Sequence, residues 1–136
     1  MAAYGEGNAS LQAMGGEAGV AALVDAFYEE MERRPAARGI RDMHGDLAVA
    51  RDKLTVFLVG WLGGPRRYAE RWGQIRIPPA HAHLPIGKAE HDAWLVCMDA
   101  AIDAMPVDAE FRSYFKTQIR VPADRVLRAC RARRRE

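Results

Sequence analysis

GGEAGVAALVDAFYEEM, residues 15–31, is the stretch that decides the fold class. Its apolar residues fall at Val20, Leu23, Val24, Phe27, Tyr28 and Met31, a three-and-four spacing that lines one face of a helix. The leading Gly-Gly-Glu gives a flexible entry and Pro35 a stop, because proline cannot donate to the preceding turn. Outward from this stretch the same period returns. Leu47, Ala50, Leu54, Phe57, Leu58 and Trp61 share a face, with Asp46 as N-cap and Gly63-Gly64-Pro65 as terminator. A third segment, 90–105, carries Trp94, Cys97, Met98, Ala101, Ile102 and Met105, and Pro106 closes it. A fourth starts near Asp108 and uses Phe111, Tyr114, Phe115, Ile119, Val126 and Leu127. Pro122 lies inside it, so a kink or break near Val121 is expected. No series of short runs shows the alternation of half-buried strands, and the class is all-α with four main helices.

The chain of 136 residues has the size of a single domain with one core, and there is no internal repeat. A charged fraction of 28% and a net charge of +2 select no partner. The local exception is the basic tail, residues 128–136, read as a solvated helix end; no aromatic side chain is interleaved there to stack on bases. No apolar run approaches the roughly 20 residues that span a bilayer, and the first residues lack the basic and apolar regions of a signal peptide. Expectations follow of a cytoplasmic protein with neither membrane nor nucleic acid as partner. Cys97 and Cys130 are too far apart in sequence for a redox or metal motif and read as small buried hydrophobes.

Three of the four histidines fall in or just after the proline-rich loop RIPPAHAHLPIGKAEH, residues 76–91. A histidine on a segment kept extended by Pro78, Pro79 and Pro85 can direct a ring nitrogen between helices, where a flat cofactor could sit. A zinc site from His81, His83 and His91 is the weaker alternative, since the spacing matches no dedicated zinc pattern. His91 itself reads as an exposed residue at a helix start.

Three motifs in order, GGEAGVAALVDAFYEEM, FLVGWLGGPRRYAERWG (57–73) and HAHLPIGKAEHDAWLVCM (81–98), resemble the second group of truncated haemoglobins. The resemblance spans about residues 14–115. It implies a two-over-two helical sandwich holding non-covalent haem b in one domain, 1–136, with 1–13 as a variable N-terminal extension. The absence of C-x-x-C-H agrees with non-covalent attachment.

By that resemblance, His81 is the iron ligand, with His83 the alternative; it stands thirteen residues before Trp94 and four before Pro85. Tyr28 and Trp94 are implied as distal donors to a bound diatomic ligand, joined by His44 if the short MHGDL corner lets it reach. Ala50 takes the place where many globins carry a distal histidine. Leu54, Phe57, Ile77, Ile86 and Met98 are implied as apolar haem contacts, and Lys53, Tyr68 and Arg76 as partners of the propionates. Ala80 and Pro78 replace two commonly basic positions, which puts more of that anchoring on Lys53 and Arg76. The implied function is reversible binding of dioxygen, carbon monoxide or nitric oxide. The alternative is a nitric-oxide dioxygenase or peroxidase-like enzyme served by an external reductase. Monomer and homodimer both stay open. A non-haem helical module acting through the C-terminal arginines is the remaining reading.

Overall fold

The computed structural model describes residues 4–43, 46–65, 67, 84 and 86–134. In order come α1 (Ala9–Met14), α2 (Gly16–Arg33), a 3-10 turn (Pro35–Ala37), α3 (Arg38–Asp42), α4 (Leu47–Trp61), α5 (Lys88–Asp103) and α6 (Ala109–Arg134). No strand occurs among the described residues. Helix α2 packs on α4 and α5, and α5 packs on α6, so that the pair α2–α4 faces the pair α5–α6 in a two-over-two sandwich.

The face foreseen for α2 is the one buried: Val20, Leu23, Val24, Phe27, Tyr28 and Met31 all lie in the core. Each such apolar side chain contributes roughly 1.5–3 kcal/mol relative to exposure, so this face alone commits α2 to the sandwich. The helix ends at Arg34, where Glu30 pairs with Arg33 and, at 2.8 Å, with Arg34, and Pro35 opens the next turn. Asp46 caps α4 as expected, its Oδ1 accepting from the Ala48 N–H at 2.9 Å and the Val49 N–H at 3.2 Å. At the other end Gly63 takes a left-handed φ of +101°, and a Cβ there would stand 1.9 Å from the Gly7 carbonyl oxygen. Both the turn and the close approach therefore require glycine.

That approach is part of an N-terminal tie that periodicity did not reveal. Residues 9–14 form α1, which sends Leu11 and Met14 into the core, and the Leu11 N–H donates to the Leu62 carbonyl at 3.0 Å. Gly15, at φ +98°, turns the chain from α1 directly into α2. Ahead of α1, Tyr4 packs edge-on against Phe111 at 5.3 Å and beside Tyr114 at 5.1 Å.

Helix α5 covers Lys88–Asp103, beginning two residues earlier and ending two earlier than its apolar pattern suggests. The early start comes from Glu90, whose Oε1 accepts from the Gly87 N–H at 2.8 Å and completes the first turn. Of the kink or break expected near Val121, the break does not occur, since α6 runs from Ala109 to Arg134 with Pro122 inside it. One missing backbone bond costs about 3 kcal/mol in an isolated helix. Here Phe111, Phe115, Ile119 and Cys130, buried on both sides of the proline, hold the rod together. Cys97 and Cys130 are free and buried, as expected.

Candidate functional site

Helix α2 delivers Tyr28 to the core, where only 3% of the residue is exposed. Phe27 meets its ring edge-on at 5.1 Å, and the Arg51 guanidinium from α4 stands 5.2 Å from the ring centroid. Arg51 is held in turn by Asp25, Nη1 to Oδ1 3.0 Å. Sequence reading passed over Arg51, because nothing local joins a residue of α4 to an acid 26 positions earlier; its place next to Ala50 was the one available signal.

Burial pushes the Tyr28 phenol up to about 12, with the nearby Arg51 charge pulling weakly the other way. The hydroxyl is therefore a neutral donor throughout the physiological range. Its linkage to stability follows from the sign of the shift. An unfolded phenol ionises near pH 10, while the folded one keeps its proton until about 12. Stability from burying neutral Tyr28 is thus complete below pH 10 and is lost as pH rises through that window, by roughly 2–3 kcal/mol. Urea unfolding at pH 9.5 and pH 11.5 should show this loss in the wild type and a smaller one in Tyr28→Phe. Equal losses would mean that Tyr28 is not the group responsible.

Trp94 stands half-buried on α5, and its ring meets Phe27 edge-on at 5.2 Å. Phe27 thereby touches both expected donor residues, Tyr28 on its own helix and Trp94 on the facing one. Beside them α4 presents an apolar stripe that the protein leaves partly uncovered. Ala50, Leu54, Phe57 and Trp61 are all half-buried against the core, whereas Leu58 and Val59 on the inward side are fully buried. Phe57 stacks on Trp61 at 6.3 Å, and Trp61 meets Phe115 edge-on at 5.9 Å. Ile86, just before α5, and Lys53 on α4 are likewise half-buried, while Met98 is wholly enclosed in the core. The Cys97 thiol, one residue before Met98, is pushed up by burial, which suits packing and not reactivity.

His44, Tyr68, Arg76, Ile77, His81 and His83 lie outside the described residues. His91 is described, and it corrects the reading of an exposed residue: its side chain is only 11% exposed. Its Nδ1 lies 2.9 Å from Asp92 Oδ1 and its Nε2 2.7 Å from Asp124 Oδ1. The unbroken α6 carries Asp124 past Pro122 to meet α5, so the continuity of that helix is what buries this ring. Both nitrogens of His91 are thus engaged by carboxylates, while His81 and His83, the other members of the zinc alternative, lie outside the described residues. The Asp92 carboxyl is held below its ordinary value first by the hydrogen bond from Lys88 and then by that from His91.

A two-over-two helical sandwich with a partly covered apolar stripe beside a buried tyrosine and a half-buried tryptophan is the arrangement of a truncated globin. The chain matches the bacterial-like globin family over residues 10–126 and belongs to it. Within that family it is a group II truncated haemoglobin. The Group 2 truncated hemoglobin YjbI of Bacillus subtilis is 34% identical over 116 residues, spanning 85% of this chain and 86% of the relative. Among solved structures, the group II 2-on-2 hemoglobin of Agrobacterium tumefaciens is 36% identical with a TM-score of 0.81, covering 86% of this chain and 92% of that one. The hemoglobin of Chloroflexus aurantiacus is also 36% identical, with a TM-score of 0.78 over 87% of this chain and 96% of that one.

Membership implies haem binding, and the described residues fit such a group. Ala50, Leu54 and Phe57 are apolar yet only partly covered by protein, a condition a flat apolar ligand would relieve. No helix among the described residues is long and apolar enough to cross a membrane.

Proposed function

We propose that this chain binds haem b without a covalent link and holds dioxygen and other diatomic ligands tightly beside Tyr28 and Trp94. The observation that carries the reading is the packing of Phe27 against both residues, which brings a phenol and an indole from facing helices to one corner of the sandwich. When bound, haem supplies an iron centre that takes up diatomic ligands reversibly. His81 is the residue proposed to ligate that iron; the expectation rests on its position in the loop sequence.

What the chain itself contributes is exclusion of water, orientation and hydrogen bonding. Leu54 and Phe57 offer apolar contact area, and Ala50 leaves room where a longer side chain would intrude. Tyr28 offers a hydroxyl that stays protonated because burial disfavours its anion. Trp94 offers an indole N–H, which donates and cannot accept. Arg51, paired with Asp25, stands over the Tyr28 ring as a cation–π partner. Lys53, with Tyr68 and Arg76, is proposed to neutralise the propionates. Two donors at the ligand slow its release, which suits scavenging, sensing or redox use in the cytoplasm better than bulk delivery.

The test is the visible spectrum of the purified protein, reduced and then exposed to carbon monoxide. A sharp Soret band that moves on carbon monoxide addition is expected. No Soret band after reconstitution with haemin would remove the haem reading altogether.

A further inference from the structure

Among the described residues, most cations are neutralised within the chain. Arg34 meets Glu30, Arg51 meets Asp25, Lys88 meets Asp92, Lys116 meets Asp103 and Arg120 meets Asp99. The pattern stops beyond Pro122. Arg125, Arg128 and Arg131 are exposed, and among the described residues no carboxylate lies within ion-pair distance of any of them. They follow one another three residues apart along the exposed side of α6, a row about 9 Å long at 1.5 Å per residue. Cys130 on the opposite side is fully buried, so the rod is fixed to the body and its outer face is free.

This helix end also outruns the globin match, which stops at residue 126. Charge is segregated along the chain in the same sense. Residues 1–124 hold 14 basic and 17 acidic side chains, whereas residues 125–136 hold six arginines and Glu136. The acid within the row, Asp124, is already engaged by His91 at 2.7 Å.

We propose that the arginine row Arg125, Arg128 and Arg131 is a docking surface for the acidic patch of a compact electron-carrier protein. The electron-carrier part rests on the haem reading: iron that oxidises must be returned to the ferrous state, and a protein donor is the partner that need calls for. The shape of the charge favours a compact protein over nucleic acid. A short basic row on a body with more acidic than basic side chains orients a partner with one acidic patch, while a long polyanion running past the row meets that net negative body. Nor do aromatic side chains stand among the arginines to stack on bases. With its buried side committed to the core, the helix has no apolar face left to insert into a lipid surface.

The experiment measures binding directly, using fluorescently labelled flavodoxin, a small acidic one-electron carrier, titrated with the haem-loaded protein at low and at physiological ionic strength. Arg125→Glu, Arg128→Glu and Arg131→Glu combined should weaken binding at low salt by at least about tenfold, and added salt should weaken the wild type. Arg38→Glu, which reverses another exposed cation on a different helix, α3, should change binding by no more than about twofold. Equal binding by the wild type and the triple variant overturns the proposal, as does an equal loss in Arg38→Glu. Tighter, steeply salt-dependent binding of a labelled DNA duplex that the triple variant loses would reassign the row to nucleic acid. The carbon monoxide spectrum of the same preparation separates the two failures. A missing Soret band removes the haem reading, whereas an intact band with charge-independent binding removes only the docking surface.

Discussion

Replacing Tyr28 with phenylalanine should speed dioxygen release from the ferrous protein by about tenfold to a hundredfold, and Trp94→Phe should act in the same direction. The size follows from the chemistry of the donors. A hydrogen bond to a ligand that gains negative charge on binding contributes roughly 1–3 kcal/mol, and every 1.4 kcal/mol is about tenfold in a rate governed by that bond. Phenylalanine at 28 keeps the edge contact with Phe27 at 5.1 Å and the ring beneath Arg51, so the hydroxyl is the one group removed. At 94 the substitution loses the indole N–H and shortens the ring that meets Phe27 at 5.2 Å. Carbon monoxide, a poorer acceptor, should be released at rates changed much less than those of dioxygen. The double variant should fall short of the product of the single effects, because two donors at one ligand share the same charge. Stopped-flow displacement of dioxygen by carbon monoxide measures all three variants. Unchanged dioxygen rates in Tyr28→Phe would place its hydroxyl outside the ligand's reach and leave Tyr28 a core residue only.

The part of this site that was legible in the sequence is the part built from local period. Tyr28 sits where the three-and-four spacing of α2 puts it, in the core beside Phe27, and the Ala50, Leu54 and Phe57 stripe lies on one side of α4 for the same reason. Helix ends marked by Asp46, Pro35 and Gly63 were legible too, since each acts within a turn or two of its own position. Arg51 over Tyr28 and His91 against Asp124 were not, because each pairing closes only when two helices pack. Their partners lie on other helices, and sequence spacing carries no trace of them. At Pro122, where a kink or break was expected, tertiary packing decides against the break: buried side chains flank the proline on both sides and the helix runs on. The tie between Gly7 and Gly63 was equally invisible, being a backbone contact that leaves no apolar pattern. His81, His44, Tyr68, Arg76 and Ile77 lie outside the described residues, so their roles rest on resemblance, and the largest single effect falls among them.

Substituting His81 with glycine should loosen haem more than any other single change. Residues that merely orient a metal's ligands are worth about 10- to 100-fold in affinity, so loss of the ligand itself should accelerate haem transfer to an apo-globin acceptor by more than about 100-fold. Glycine leaves a gap the size of an imidazole, and free imidazole in solution should fill it, restoring both the Soret position and much of the retention. That rescue separates ligation from folding, because a misfolded loop has no reason to respond to imidazole. His83→Gly is the informative control. It stands two residues away on the same proline-flanked segment. If ligation belongs to His81, His83→Gly retains haem nearly as the wild type does; if it belongs to His83, loss and rescue exchange places between the variants. His91→Gly should leave the iron's spectrum unchanged in either case, since both ring nitrogens of His91 are spent on Asp92 and Asp124, and its cost should appear as weaker attachment of α6 to α5.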